Sequence, residues 1–181
     1  MSILPITVYG DTILREIAKP VKIVNDELIE NIQDMFETMR YANGIGLAAN
    51  QVGLNKKLFI IDLKEVEEYS DFKPLVMINP EIVAYSDEIV SIEEGCLSLP
   101  NLRADIERSE IIKVKYWNTD EEEQELEADA LLARVILHEY DHLLGKMIPD
   151  RVDARTKDKL KGELINIMKR EVDVDYPLTH K

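Results

Sequence analysis

The sequence predicts an α+β fold, in which mostly antiparallel sheets pack around a central helix, with one helix near the N-terminus and one near the C-terminus. Strand-like segments follow one another between residues 58 and 116, whereas a doubly wound fold would alternate strands with helices. Helical periodicity is found before this region and again twice after it. The order is therefore one helix, several strands and two helices, which is typical of the α+β class.

An apolar stripe at helical spacing predicts the first helix over residues 26–41. The stripe consists of Leu28, Ile32, Met35, Phe36 and Met39. Asn25 or Asp26 can cap the N-terminus of this helix, because their side chains accept hydrogen bonds from free backbone N–H groups. Asn43 and Gly44 mark the expected end of the helix.

Apolar and β-branched residues predict the strands that follow. These strands are expected at residues 58–63, 75–85 and 88–92, and in the alternating run that contains Ile112, Val114 and Tyr116. The polar stretch 64–73 is short enough to be a surface loop. The acidic run 121–127 lacks the glycine and acid spacing of a calcium loop, so we expect it to be a solvated edge.

Two further helices complete the predicted fold. Residues 129–144 return to helical spacing, with Asp129 as a candidate cap and Gly145 as the stop signal. A last helix is predicted from about residue 154 to about residue 172. Its expected buried stripe is Leu160, Leu164, Ile167 and Met168.

A length of 181 residues fits one domain with a single large core. We expect one catalytic domain over residues 1–181, in which residues 151–181 form a C-terminal helix and tail. The only cysteine, Cys96, cannot form a disulfide within the chain. It must therefore be inert, reactive or a metal ligand.

Net charge restricts the partners. The chain contains 22 Lys and Arg against 36 Asp and Glu, which gives a net charge of −14. Such a charge repels phosphate backbones and argues against DNA as a partner. The sequence also has no apolar run of membrane-spanning length and no secretory signal at its start, so we expect a cytoplasmic location without a membrane partner.

The strongest chemical motif is His138-Glu139-Tyr140-Asp141-His142 in the predicted second-last helix. The two histidines are four residues apart, so both imidazoles lie on one helix face and can reach a single cation. Glu139 lies about 100° further round the helix than His138. It can therefore accept a proton from bound water instead of ligating the metal.

Two histidines do not complete a catalytic metal site, which commonly has three protein ligands. Glu163 or Glu171 would complete a site like that of a thermolysin-type peptidase. Cys96, in the segment Glu94-Gly95-Cys96-Leu97-Ser98, would instead supply a soft thiolate. A metal-binding domain without catalytic activity is a third interpretation.

A third segment, Gly44-Ile45-Gly46-Leu47-Ala48-Ala49-Asn50-Gln51, is dense in small residues. Backbone exposed in this way can approach a ligand closely, and the neutral Gln51 amide can donate to an oxygen. It lacks the spacing and the lysine of a phosphate-binding loop. An ordinary tight turn into the next strand is the alternative.

Together the three segments resemble the peptide deformylase family, whose motifs GxGLAAxQ, EGCLS and HExDH occur here in that order. The resemblance extends over roughly residues 3–150. The chain departs from the family at Asn50, where proline is frequent, and at Leu137, where glutamine is frequent. Neither position is a proposed ligand.

The resemblance implies a metal-dependent hydrolase that removes the formyl group from the N-terminal formylmethionine of nascent polypeptides and releases formate. It implies that a divalent ion is held by Cys96, His138 and His142, with Fe²⁺ expected natively and Zn²⁺ or Ni²⁺ in purified protein. Metal-bound water would attack the formyl carbon with Glu139 as general base. The Gln51 amide and the Leu97 backbone N–H would stabilise the oxyanion.

The resemblance also implies a peptide-binding groove. Main-chain groups of Ile45, Gly46 and Gly95 are expected to pair with the substrate as an added strand. The methionine side chain would lie near Leu131 and Val135, which precede the histidines on the same helix. Arg103 is expected either at the mouth of the pocket or in an ion pair with surface acids.

Charge is unevenly distributed along the chain. Residues 151–170 contain seven basic and three acidic residues, against the acidic remainder. A basic helix on an acidic enzyme is suited to docking on the ribosome, where nascent chains emerge, as is thought for some members of the family. A solvated helix whose apolar stripe packs on the core is the alternative.

Overall fold

The computed structural model describes residues 2–180, so Met1 and Lys181 of the expected domain lie outside the described residues. The helices are α1 (Asp26–Tyr41), α2 (Ala130–Leu143) and α3 (Ala154–Lys169). The strands are β1 (Gly46–Ala48), β2 (Leu58–Ile61), β3 (Leu75–Tyr85), β4 (Ile89–Cys96), β5 (Leu99–Ser109), β6 (Ile111–Trp117) and β7 (Glu123–Asp129). Within residues 2–180, no helix combines the length and the apolar composition that crossing a membrane requires.

The strands form two antiparallel sheets, which confirms the predicted fold class. One sheet has five strands in the order β1-β2-β3-β6-β7, and the other is the hairpin β4-β5. All pairings between these strands are antiparallel. Helix α2 lies at the centre and contacts β1, β2, β6 and β7 of the larger sheet as well as β5 of the hairpin.

Strand β2 is a central strand of the fold, and both of its faces are covered. Leu58 and Ile60 pack in a cluster with α1, whereas Phe59 and Ile61 pack in a cluster with α2. This division follows from the two-residue period of a strand, which sends successive side chains to opposite faces. All four residues are fully buried. A continuous apolar run is the sequence pattern expected of a strand covered on both sides.

The hairpin has its own apolar cluster, which joins it to α3. Leu102, Ala104 and Ile106 of β5 pack with the stripe of α3 that consists of Leu160, Leu164 and Ile167. Alternate residues of β5 are buried, as expected for a strand with one covered face. The hairpin is thus fixed on one side by α3, and it also contacts α2 and the short 3₁₀ helix Ile148–Asp150.

Several predicted boundaries were wrong. Helix α3 ends at Lys169 instead of residue 172, because Arg170 adopts a left-handed backbone conformation (φ 60°) that terminates the helix. Met168 was expected in the buried stripe, but 41% of its surface is exposed. The predicted strand 58–63 is shorter, since β2 ends at Ile61. Asp129 precedes α2 but makes no side-chain capping hydrogen bond.

Three strands were not predicted, namely β1, β5 and β7. Strand β1 is only three residues long and lies within the segment of small residues at 44–51. Strand β5 alternates in burial, but Ala104 and Arg108 occupy two of its inward positions and weaken the apolar signal. Strand β7 is rich in acids and pairs only with β6 at the edge of the larger sheet. Charged side chains are common on edge strands, where they oppose pairing with other chains. The solvated edge expected there therefore overlaps a strand.

We predict that Asn25→Ala lowers stability without affecting the site. The exposed Asn25 side chain accepts a hydrogen bond from the Leu28 N–H at the start of α1. Losing such a cap lowers the free energy of unfolding by about 1 kcal/mol. The melting temperature of a chain of this size should therefore fall by about 2–4 °C. Thermal unfolding measures this, with Asn25→Asp as the control that retains a capping oxygen. Equal melting temperatures for Asn25→Ala and the wild type would contradict the assignment.

Candidate metal centre

Helix α2 presents its two histidines to the same space. His138 and His142 are one turn apart, and their ring centroids are separated by 5.1 Å at an interplanar angle of 74°. His142 is buried, and His138 is nearly so. The spacing in the sequence thus produces the predicted pair of neighbouring imidazoles.

Cys96 reaches the same space from the hairpin. It is the last residue of β4, and the register with β5 shifts between Gly95 and Cys96. Shifts of this kind re-aim a side chain at the end of a strand. The Cys96 Sγ lies 3.2 Å from Nε2 of His142. One ligand atom from each of Cys96, His138 and His142 can be chosen so that all three lie within 4.8 Å of one another.

These three residues fit a divalent metal ion. A thiolate and two imidazoles are donors that suit Zn²⁺ and Fe²⁺ alike. His138 Nδ1 lies 2.9 Å from Oε2 of Glu94, which leaves its Nε2 for the metal. Burial lowers the pKa of His142 well below its usual value, which favours the neutral ring that a metal ligand must have.

A buried network of charges surrounds Glu94. Arg108 donates to both carboxylate oxygens of Glu94, at 2.6 and 3.0 Å, and Arg134 donates at 3.0 Å. Arg108 also donates to Asp141 of α2 at 2.8 Å, and Arg151 pairs with the same carboxylate. Although burial disfavours its charge, hydrogen bonds with His138 and Arg108 hold the pKa of Glu94 far below its usual range. Glu94 is therefore ionised and fixes the ring of His138.

Glu139 is buried beside the histidines. Burial raises the pKa of its carboxyl to about 7, so it can both accept and release a proton near neutrality. Its Oε2 is buried without a hydrogen-bond partner among residues 2–180. A Cβ at Gly46 would lie only 2.6 Å from Oε1 of Glu139 and 2.8 Å from Val135. Because glycine has no side chain, position 46 leaves room for the Glu139 carboxylate.

The amide of Gln51 is fixed in orientation. Its Oε1 accepts a hydrogen bond from the Ala48 N–H at 2.8 Å, so the NH₂ group must face the other way. That group donates to Oγ of Ser98 at 3.1 Å and lies 3.6 Å from Sγ of Cys96. A short 3₁₀ helix, Ala49–Val52, carries Gln51 to this position after β1. A donor is therefore aimed at the space beside Cys96.

A groove of about 560 Å³ opens beside these residues, a volume typical of small-ligand sites. Its lining includes all the expected substrate contacts and the expected oxyanion donors, namely Ile45, Gly46, Gly95, Arg103, Leu131, Val135, Gln51 and Leu97. Arg103 lines the groove, and its Nη1 lies 3.8 Å from Oε1 of Glu93, so its position is compatible with either expected role. Glu163 and Glu171 are exposed and lie outside the metal-ligating group.

Sequence reasoning missed Glu94, Arg108, Arg134 and Tyr176. A signal existed for Glu94, because it precedes Cys96 by two residues in β4 and therefore shares its face of the strand. Arg134 likewise precedes His138 by one helical turn. Arg108 belongs to the unpredicted β5. No local pattern distinguishes Tyr176, which reaches the groove from beyond α3.

Comparison with known proteins agrees with this geometry. A family model described as polypeptide deformylase matches residues 3–158. The peptide deformylase of Chlorobium phaeovibrioides is 44% identical over 176 residues, which cover 97% of this chain and 92% of that protein.

Solved structures give the same result. The crystal structure of a peptide deformylase from Synechococcus elongatus in complex with actinonin has a TM-score of 0.82 and 43% identity, covering 94% of this chain and 89% of that one. A plant peptide deformylase has a TM-score of 0.87 and 32% identity, covering 97% of both chains. This chain therefore belongs to the peptide deformylase family.

Proposed function

We propose that this chain is a metal-dependent hydrolase that removes the formyl group from N-terminal formylmethionine of nascent polypeptides and releases formate. The observation that carries the proposal is the meeting of Cys96, His138 and His142 beside the buried carboxylate of Glu139 in an open groove. Nascent formylated chains arise in the cytoplasm, which is therefore the proposed location.

Cys96, His138 and His142 would hold the divalent ion. When bound, such an ion lowers the pKa of water and polarises a carbonyl oxygen. We propose Fe²⁺ as the native ion and Zn²⁺ or Ni²⁺ as substitutes in purified protein, since one thiolate and two imidazoles accept all of them. Glu94 orients His138 toward the ion through the hydrogen bond to Nδ1.

Glu139 is the proposed general base and general acid. Its carboxylate accepts a proton from the water that attacks the formyl carbon. The proton then passes to the amine nitrogen as the carbon–nitrogen bond breaks, which yields formate and a free N-terminal amine. A pKa of about 7 suits both halves of this transfer, because a group that titrates near the working pH accepts and donates readily.

Gln51 and Leu97 are the proposed donors to the oxyanion that forms on the formyl oxygen. The Gln51 NH₂ is aimed at the space beside Cys96 because its carbonyl oxygen is held by Ala48. The Leu97 N–H belongs to the turn directly after Cys96. A donor fixed in advance is commonly worth about 3 kcal/mol of transition-state stabilisation.

The groove supports binding of the peptide. Main-chain groups of Ile45, Gly46 and Gly95 line it and are proposed to pair with the substrate backbone. Leu131 lines it two turns before His138 of α2 and Val135 one turn before it, where both would contact the methionine side chain.

We also propose that α3 docks on the ribosome. Arg151 and Arg170 of the basic segment are engaged within the protein, with Asp141 and Asp11 respectively. The side chains of Lys157, Lys159 and Lys161 are exposed on α3, where they can contact phosphates. Lys161 also pairs with the exposed Asp158 at 2.5 Å, a weak surface ion pair that a phosphate would replace.

Replacing Glu139 by Gln should leave the metal bound and lower kcat for formate release from a formylmethionyl peptide by at least about 100-fold. Glutamine keeps the shape of the side chain but cannot accept the proton. Formate release and metal content are measured together. Glu163→Gln is the matched control, and it should retain full activity because Glu163 is exposed on α3. Full activity of Glu139→Gln would refute the assigned role, and inactive Glu163→Gln would favour the peptidase site.

Replacing Gly46 by Ala should lower kcat by about 10- to 100-fold, because misplacing a reacting group by about 1 Å can cost this much. The new methyl would lie 2.6 Å from Oε1 of Glu139 and displace the carboxylate. Steady-state kinetics and thermal unfolding measure the effect. Gly162→Ala is the control, since nothing lies within 4 Å of its Cβ position. Equal kcat for Gly46→Ala and the wild type would show that Glu139 tolerates the displacement.

Changing Lys157, Lys159 and Lys161 together to Gln should weaken binding to purified bacterial ribosomes. The slope of log Kd against log salt should fall by up to about three, as three phosphate contacts are lost. Co-sedimentation at several salt concentrations measures both quantities. The control changes the exposed Lys19, Lys22 and Lys64 to Gln. Unchanged binding after the α3 substitutions would rule out this docking mode.

A further inference from the structure

The residues that follow α3 are held against the rest of the fold. Among residues 171–180, here called the C-terminal tail, the Pro177 carbonyl accepts a hydrogen bond from the Ile6 N–H at 2.8 Å. The Thr179 N–H donates to the Ile6 carbonyl at 3.0 Å. Val172 and Leu178 pack against the cluster formed by β5 and α3. Backbone pairing and apolar burial together fix the path of the tail.

This path brings Tyr176 to the groove. Its side chain lines the groove together with Cys96 and Leu97, and its hydroxyl donates a hydrogen bond to the Leu97 carbonyl at 2.9 Å. The tyrosine is half-buried. Asn101, which also lines the groove, donates to the Asp173 carbonyl at 3.2 Å and holds the tail beside the start of β5.

The contact falls on the turn that carries the metal ligand. Leu97 and Ser98 connect β4 to β5, and Cys96 pairs with Leu99 across them. Ser98 is held from two sides, since its carbonyl accepts from the Tyr9 N–H at 3.0 Å and its hydroxyl from Gln51 at 3.1 Å. Leu97 is held by Tyr176, whose hydroxyl donates to the Leu97 carbonyl.

The Leu97 carbonyl belongs to the central peptide of this turn. The orientation of that peptide is the main freedom of a β-turn, because types I and II differ by its rotation. A hydroxyl bound to the carbonyl opposes the rotation. It therefore restrains the residue whose N–H is the proposed oxyanion donor, next to the thiolate of Cys96.

We propose that Tyr176 is a positioning residue for catalysis, which acts through the Leu97 carbonyl to keep the turn after Cys96 in its reactive arrangement. The proposal rests on the proposed function, since it concerns the donor of the same reaction. It makes the C-terminal tail one wall of the active site. The contribution of the hydroxyl is expected mainly in kcat, and that of the ring, which lines the groove, mainly in KM.

The test compares Tyr176→Phe, which removes only the hydroxyl, with Tyr176→Ala, which removes the ring as well. Tyr116→Phe is the matched control, because Tyr116 is a half-buried tyrosine of β6 that does not line the groove. Formate release is measured with a formylmethionyl peptide on the metal-loaded protein. Metal content, melting temperature and NMR amide hydrogen exchange at residues 97–99 are measured on the same samples.

Tyr176→Phe should lower kcat by about 3- to 10-fold, the effect of one hydrogen bond, with unchanged KM and metal content. The melting temperature should fall by no more than about 2–4 °C, as expected for the loss of one hydrogen bond. Exchange at residues 97–99 should become at least about 3-fold faster, since the turn opens more often. Tyr176→Ala should raise KM in addition. Tyr116→Phe should change neither kcat nor exchange.

The proposal is overturned if Tyr176→Phe retains wild-type kcat. It is also overturned if exchange at residues 97–99 is unchanged. A loss of metal, or a melting temperature lowered by more than about 4 °C, would overturn it as well, because either would indicate a merely structural role. A wild-type protein that releases no formate would refute the proposed function instead. In that case the exchange rates still decide whether Tyr176 restrains the turn.

Discussion

The buried carboxylate of Glu94 is the constraint on which the rest of the site depends. It lies on β4 of the hairpin, and its hydrogen-bond partners include Arg134 and His138 of α2. A buried charge that loses its partners is strongly destabilising, by about 3–5 kcal/mol. The hairpin and the helix therefore cannot shift relative to each other without breaking these bonds. This fixed relation brings a cysteine from one element and two histidines from the other to a common point.

The same network sets the rotation of α2. Arg134, His138 and Asp141 recur at helical spacing and face the charged groups of the hairpin, where Arg108 bridges Glu94 and Asp141. Val135 and Glu139 then face the groove and Gly46 of β1. Because Glu94, which is not itself a ligand, orients His138, this part of the site is arranged by the fold itself. Such preorganisation is what electrostatic catalysis requires.

Most of the fold and the pair of histidines in the metal centre could be predicted from the sequence, because both depend on local periodicity. Helix α1 and strand β3 were predicted at their observed bounds, because their patterns are strongly apolar and regular. The spacing of His138 and His142 likewise determines their proximity. Contacts between residues that are distant in the sequence produce no periodic pattern and could not be predicted in this way. Arg108 is an inward charge on a strand that periodicity did not reveal, and Tyr176 reaches Leu97 across 79 positions of the chain.

Helix α2 links stability to function because it serves both. Nearly every side of it is covered, and among its buried residues are Arg134, Glu139, Asp141 and His142. Such residues are unfavourable in a core unless they are paired. Its apolar residues Ala133, Ile136, Leu137 and Leu143 pack with the larger sheet, which offsets that penalty. A substitution in this apolar layer would therefore move the histidines as well as loosen the core, although it touches no ligand.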